Sequence, residues 1–309
     1  MFKFLENPSY DFLGKARPAI AASLIVILAG VGYMASRGVR SGVEFSGGTQ
    51  LILKFEQSPQ LDKIRDAVEK VSPGAVIQTY DEPAKNQVLV RVASVEGRDE
   101  ALDAAATRIR QAIEAGYPAN PLRESSTEIV GPVVGAELRQ KAVWLTVLGL
   151  FAQLLYIGFR FNGAVWGSAA AIASLHDVLV TLALLAFFRF ELTLNVIAAL
   201  LTLVGYSVND TIVIFDRARE NVHLRKKDSL AQILNQSLNQ TLTRTIYSNG
   251  TTFLSVLALL IWGGEVLRGF AFTMVVGVLV GTYSTVFIAS PIVVWWREGR
   301  GAKAAVKAA

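Results

Sequence analysis

No cysteine occurs anywhere in the 309 residues. That excludes a disulfide framework, a thiolate metal site and a cysteine nucleophile. Histidine is nearly as scarce, with only His176 and His223, so a histidine-rich metal site is excluded as well. Charge is thin: 18% of residues are Asp, Glu, Lys or Arg, against about 25% in ordinary soluble domains. No Gly-x-Ser-x-Gly motif is present, and neither histidine sits beside a soluble carboxylate cluster. A water-exposed hydrolase therefore has no support, and the chain reads as a non-enzyme. "FSGGT" at 45–49 lacks the Gly-Lys-Ser/Thr ending of a phosphate loop. Gly47 and Gly48 read instead as a turn feeding a strand.

What the chain has in abundance is apolar sequence, 52% of all residues. It falls into six stretches, about 18–36, 142–159, 163–188, 192–215, 241–262 and 269–296. Each is read as a transmembrane helix, because about 20 residues rising ~1.5 Å apiece cover a ~30 Å hydrocarbon core. The first follows Lys15 and Arg17 and lacks a cleavage site, so it reads as an uncleaved anchor. The fifth is too short in its purely apolar part, Thr251 to Trp262. Those residues cover roughly 18 Å. The helix must extend backward through "TLTRTIYSN", which carries Arg244 into the membrane.

Positive charge orients the spans. With both termini cytoplasmic, residues 1–17, the even-numbered loops and the tail 297–309 hold thirteen Lys or Arg. The two short opposite loops hold only Arg189 and Arg268. Membrane topology thus explains the net charge of +5 without a nucleic-acid partner. Trp144, Trp166, Trp262, Trp295 and Trp296 lie near span ends, where an aromatic belt faces the headgroups.

Residues 37–141 hold 14 basic and 15 acidic residues and read as a soluble domain on the far side. "TQLILKF", "AVIQTY", "QVLVRVA" and "SSTEIVG" read as strands, and "SPQLDKIRDAVEKV" and "RDEALDAAATRIRQAIEA" as helices. The order βαββαβ is the ferredoxin-like plan. A polar loop is expected over 216–240, with a capping box at "SLAQ" and a short helix lying on the membrane surface.

The polar exceptions within the spans are the candidate functional residues. They are His176 and Asp177 in the third, Asn209 and Asp210 in the fourth, and Arg244 in the fifth. A carboxylate at bilayer depth costs roughly 2.5–3.5 kcal/mol on insertion scales, so such residues face the bundle interior and mark ion or proton paths. Asp210 and Arg244 fall at similar depth and are expected to pair. The four ionisable groups read as a proton relay, and Asn209 as a cross-helix hydrogen bonder. A static buried pair that only sets helix register is the alternative for Asp210 and Arg244, and a satisfied polar pair the alternative for His176 and Asp177. Gly277 and Gly281 form a G-x-x-x-G expected to pack helices closely, and Gly263 and Gly264 mark an outer turn.

The motifs "FSGGT", "HD" (176–177), "GYSVNDTIVIFDRARE" (205–220), "NQTLTRT" (239–245), "GGEVLRGFAF" (263–272) and "GTYSTVFIASP" (281–291) resemble the SecF family. These are the smaller membrane subunits of bacterial SecDF protein-export complexes. The resemblance runs nearly end to end. It implies half of a resistance-nodulation-division transporter core, six helices with a periplasmic domain between the first two. It implies a bacterial inner-membrane location, SecD as partner, contact with the SecYEG channel, YajC and YidC, and unfolded exported chains as cargo. It further implies proton-motive force as the drive, with protons as coupling ion, no other cofactor and no metal. Asp210 and Arg244 match charged residues that the family implicates in proton transfer. Half of a proton-coupled small-molecule or lipid exporter is the second reading, and a passive scaffold of the channel the third.

Overall fold

The computed structural model describes residues 8–80, 83–93, 102–130, 132–161, 164–225 and 227–297. Expectations for the chain ends, for Lys226 and for the segments around 81–82 and 94–101 lie outside the described residues. After a single 3-10 turn at Leu13–Lys15, α1 spans Ala16–Arg37, and a one-turn helix α2 covers Val43–Ser46. A mixed segment follows: β1 Gly48–Phe55, α3 Leu61–Glu69, β2 Val76–Tyr80, β3 Gln87–Ala93, α4 Leu102–Gly116 and β4 Leu122–Val130. Five long helices complete the chain: α5 Pro132–Phe161, α6 Ala164–Phe187, α7 Leu194–Leu224, α8 Leu230–Trp262 and α9 Gly264–Ser284. The last of these runs on through a π-helical turn, Thr285–Ala289, to Arg297.

The strands form one antiparallel sheet in the order β2-β3-β1-β4. Alternation along β1 sends Leu51, Leu53 and Phe55 to one face, where Ile64 and Val68 of α3 and Ile109 and Ile113 of α4 cover them. That period-two pattern against two amphipathic helices makes a small core of its own. Gly47 and Gly48 have φ values of 70° and 137°, which a residue with a Cβ rarely adopts, so the turn into β1 requires glycine.

Among the described residues, six helices are long and apolar enough to cross a membrane. Their outward surfaces are apolar too: α5 exposes Trp144, Leu148, Phe151, Leu155 and Phe159. Such a surface is stable against lipid and not against water. α6, α7 and α9 form the interior, where Ala169, Ala170, Ala173, Val208, Phe215 and Ala289 are buried together. Gly277 and Gly281 let α9 approach α7 closely, as the G-x-x-x-G spacing predicts. A Cβ on Gly281 would sit 3.1 Å from the Ser207 Cβ, and one on Gly277 would overlap Leu203.

Three sequence expectations change. The region 216–240 is mostly helical, because α7 runs to Leu224 and α8 begins at Leu230. The capping box forms, with Gln232 N donating to Ser229 Oγ at 3.3 Å and Ser229 N to Gln232 Oε1 at 2.9 Å. The helix it starts is not a separate surface helix but the first turns of α8, which bury Ile233, Leu234 and Leu238. One continuous 33-residue helix satisfies every interior backbone group, so no break is favoured. Trp166 is also not a belt residue: it is 4% exposed and packs edge-on against Phe215 with centroids 4.9 Å apart.

The sheet is tied to one end of the bundle through the α6–α7 connection. Leu192 N donates to Arg40 O and Gly42 N donates to Leu192 O, both at 2.8 Å. Arg91 on β3 forms an ion pair with Glu191 of the same connection and donates to Gln50 Oε1 at 2.9 Å. A turn at Gly263 and Gly264 joins α8 to α9, with Gly264 at φ 75°.

Candidate functional site

A belt of polar groups crosses the interior of the bundle. Asp177 lies 13 positions after the start of α6, roughly 20 Å along the helix axis and well inside a ~30 Å hydrocarbon core. It is 0% exposed. Its Oδ2 accepts hydrogen bonds from Ser207 Oγ of α7 at 2.5 Å and Ser284 Oγ of α9 at 2.9 Å. Its Oδ1 lies 3.0 Å from His176 Nδ1. Both oxygens are thus engaged, as a buried carboxyl requires.

His176 and Asp177 share one proton position. Either the imidazole donates from Nδ1 to the carboxylate, or a protonated carboxyl donates to the ring nitrogen. His176 Nε2 is buried without a hydrogen-bond partner among the described residues. The ring lies over Tyr283, centroids 6.2 Å apart. Tyr283 OH donates to Ala19 O at 2.5 Å and accepts from Ser23 Oγ at 3.0 Å, which joins this end of the belt to α1.

Asp210 sits three positions after Ser207 on α7, one turn further along the same face, and is buried. It accepts a hydrogen bond from Asn249 Nδ2 of α8. Asn249 Nδ2 also lies 2.5 Å from Thr282 Oγ1 of α9, and its Oδ1 accepts from Tyr206 OH at 2.8 Å. Thr211 and Thr285 meet hydroxyl to hydroxyl at 3.0 Å between the same two helices. One amide therefore links α7, α8 and α9 at a carboxylate, and two serines link α6, α7 and α9 at another.

The π-helical turn begins at the residue after Ser284. Ser290 Oγ donates at 2.9 Å to the Thr285 carbonyl, which also accepts the Ser290 N–H. A π turn widens the helix by one residue, and such turns recur where a helix must re-aim side chains. Here Ser284 points at α6 and Thr285 at α7.

Two expected contacts do not form. Arg244 is exposed on α8 and makes no hydrogen bond or ion pair with Asp210, which it reaches only through its charge. The reason is angular. Arg244 and Asn249 are five positions apart, about 140° around the helix. Asn249 faces inward and Arg244 faces out. Asn209 is exposed and makes no cross-helix bond. A step of about 100° per residue turns it away once Asp210 points in. The amide that bonds across helices is Asn249. Together with Ser207, Ser284, Thr282 and Tyr206 it escaped the sequence reading, although "TIYSNGTT" places an asparagine within reach of the apolar run.

The model for protein export membrane protein SecD/SecF, C-terminal, matches residues 113–299. The chain belongs to the SecD/SecF family. A SecF protein translocase subunit of Koribacter versatilis is 35% identical over 97% of this chain and 94% of its own length. One from Pseudomonas aeruginosa is 41% identical over 92% of this chain and 90% of its own. Among solved structures, SecDF of Thermus thermophilus, a translocon-associated membrane protein, superposes with a TM-score of 0.82 at 35% identity over 96% of this chain. This chain spans 40% of that longer one. SecDF in its super-membrane-facing form superposes with a TM-score of 0.73 at 36% identity. The SecD/SecF match to residues 113–299 includes α5 to α9 and hence every residue of the belt between α6 and α9.

Proposed function

We propose that this chain is a SecF-type subunit of a bacterial inner-membrane protein-export complex, and that its polar belt passes protons to drive export. The observation that carries the reading is a fully buried carboxyl, Asp177, held by hydroxyls from two other helices beside a histidine with an open nitrogen. Buried ionisable groups in spans are costly and mark proton paths. When Asp177 is ionised, Ser207 and Ser284 both donate to it and draw α7 and α9 toward α6. When it is protonated, an O–H on Oδ1 donates to His176 Nδ1, and Oδ2, no longer charged, accepts more weakly from both serines. Proton occupancy thereby changes how firmly α6, α7 and α9 are bonded together. Asp210 does the same for α7, α8 and α9 through Asn249.

Among the described residues, Lys15, Arg17, Arg160, Arg217, Arg219, Arg225, Lys227 and Arg297 at the bundle end away from the sheet support cytoplasmic termini and a periplasmic sheet. The βαββαβ order with a β2-β3-β1-β4 sheet supports a ferredoxin-like module. A chain that spans 40% of a SecDF polypeptide supports a complex in which SecD supplies the rest of a resistance-nodulation-division core. Its helices would meet the exposed small and polar faces of α7 (Ala198, Thr202, Gly205, Asn209) and α8 (Arg244, Ser248, Thr251, Ser255). Arg244 then finds its counter-charge on SecD or approaches Asp210 during the cycle. SecYEG, YajC and YidC are the further contacts, and unfolded exported chains the cargo. No cofactor beyond the coupling proton is required.

The test is export in cells that depend on this protein. Asp210→Asn and Asp177→Asn should each assemble with SecD, yet lose the part of export that needs the proton-motive force. Normal export by well-expressed variants would overturn the relay. Arg244→Lys keeps the charge and changes the fork geometry, so partial loss is expected.

A further inference from the structure

The two basic residues that the short sheet-side loops retain do not lie at random. Arg189 and Arg268 line the same cavity, together with Arg40 from the segment after α1. The cavity has a volume of about 740 Å³ and lies between the sheet and the adjoining ends of α6 to α9. Its floor is aromatic. Phe190 stacks on Phe272 with centroids 4.3 Å apart, and Phe188 meets Phe272 edge-on at 5.4 Å. Leu260 of α8 and Val266 of α9 extend that apolar floor.

Charge in the cavity is lopsided. Four arginines face two glutamates, and the Arg91–Glu191 ion pair neutralises one of each. Glu44 remains against Arg40 and Arg189, while Arg268 is already engaged by a further contact. The Arg40 guanidinium makes no hydrogen bond or ion pair with any described residue. Among the described residues Arg189 uses only Nε, which donates to Tyr33 OH at 3.2 Å. Arg189 also holds φ at 60° in the left-handed region, an uncommon conformation for a residue with a Cβ. Strain of that kind persists where the surroundings fix a side chain in place.

We infer that this cavity binds the phosphate of an anionic phospholipid in the leaflet on the sheet side. Guanidinium groups are the preferred partners of phosphate oxygens, because their N–H fork matches two of them at once. The Arg40 and Arg189 guanidiniums beside an aromatic and aliphatic floor suit a headgroup whose glycerol and acyl chains run down along the helices. The arginines belong to the ends of the spans, at headgroup depth, and not to the exposed strands of the sheet. This favours a lipid over a passing acidic peptide. The bound lipid would seat the sheet against the bundle beside the Arg91–Glu191 tie. Which leaflet this is in the cell rests on the topology proposed above; the binding itself does not.

The experiment uses the full chain in detergent and native mass spectrometry. Dioleoylphosphatidylglycerol is titrated against dioleoylphosphatidylcholine, and the tightest adduct is followed. Each basic residue near a membrane surface contributes on the order of fivefold toward an anionic lipid. Arg40→Gln, which removes no internal bond, should weaken phosphatidylglycerol binding about fivefold. The triple Arg40→Gln, Arg189→Gln, Arg268→Gln variant should weaken it roughly a hundredfold. The corresponding triple lysine variant keeps the charge and should stay within about fivefold of wild type. Replacing Arg217, Arg219 and Arg225 by Gln at the opposite end should leave the tightest adduct unchanged. Equal retention of the two lipids, or a Gln triple that binds like wild type, would overturn the inference. Arginine-dependent binding of inorganic phosphate or an acidic decapeptide, without phosphatidylglycerol retention, would overturn the lipid and assign the site to that ligand.

Discussion

Ser284→Ala tests whether Asp177 carries charge in the resting bundle. The Ser284 hydroxyl is buried and donates to Asp177 Oδ2 at 2.9 Å, one of three polar contacts on that carboxyl. A hydrogen bond to a charged group contributes about 1.5–3 kcal/mol. A neutral one between membrane helices averages about 0.6 kcal/mol. The two cases separate in a double-mutant cycle of Ser284→Ala with Asp177→Asn, since asparagine preserves a neutral acceptor. An ionised Asp177 leaves a coupling energy of about 1 kcal/mol or more, the difference between those two bonds. We expect that value, because hydroxyls from two separate helices converge as donors on one oxygen. The assay is equilibrium unfolding of the four variants in mixed micelles titrated with dodecyl sulfate. A coupling within about 0.3 kcal/mol of zero would refute the reasoning. Asp177 would then rest neutral, and the relay would have to begin from the protonated state.

Asn249→Ala should uncouple α8 from α7 and α9, lowering stability by about 1–3 kcal/mol through the unpaired Asp210, with export falling in parallel. Unfolding in mixed micelles and a secretion assay check both. Gly281→Val would press on Ser207, whose Cβ and Oγ each lie 3.1 Å from the Cβ position. Overpacking there should cost about 1–3 kcal/mol and break the Ser207 bond to Asp177. Ser229→Ala removes the capping box of α8 and should cost about 1 kcal/mol, seen as faster amide exchange in the first turn. Glu191→Gln cuts the ion pair that ties β3 to the bundle. Exchange should quicken at residues 40–42 and 192 with little effect on the belt.

Much of the plan is legible in the chain because it depends on local sums. Hydropathy over about 20 residues marks a span wherever that span sits in the bundle. The backward extension of the fifth span is likewise an argument of length, and α8 begins well before Arg244 as that argument requires. Strands β1 and β3 follow from alternation, which is local as well. Asp177 and Asp210 stand out because a carboxylate in an apolar run has a known cost.

The partners of those carboxylates belong to the tertiary structure alone. Ser207, Thr282, Ser284 and Asn249 are ordinary residues for membrane helices. Their roles depend on which faces of α6 to α9 meet, and close packing at Gly277 and Gly281 helps set that. Depth along an axis can be counted from sequence, and it put Arg244 level with Asp210. Azimuth cannot be counted across helices whose packing is unknown. A rotation of about 140° between Arg244 and Asn249 separates an outward guanidinium from an inward amide. The sequence by itself determined which residues lie in the membrane and which of them are costly there. Only the packed bundle decided which residue meets each one, because a hydrogen bond requires a distance near 3 Å and a direction, and both arise between helices.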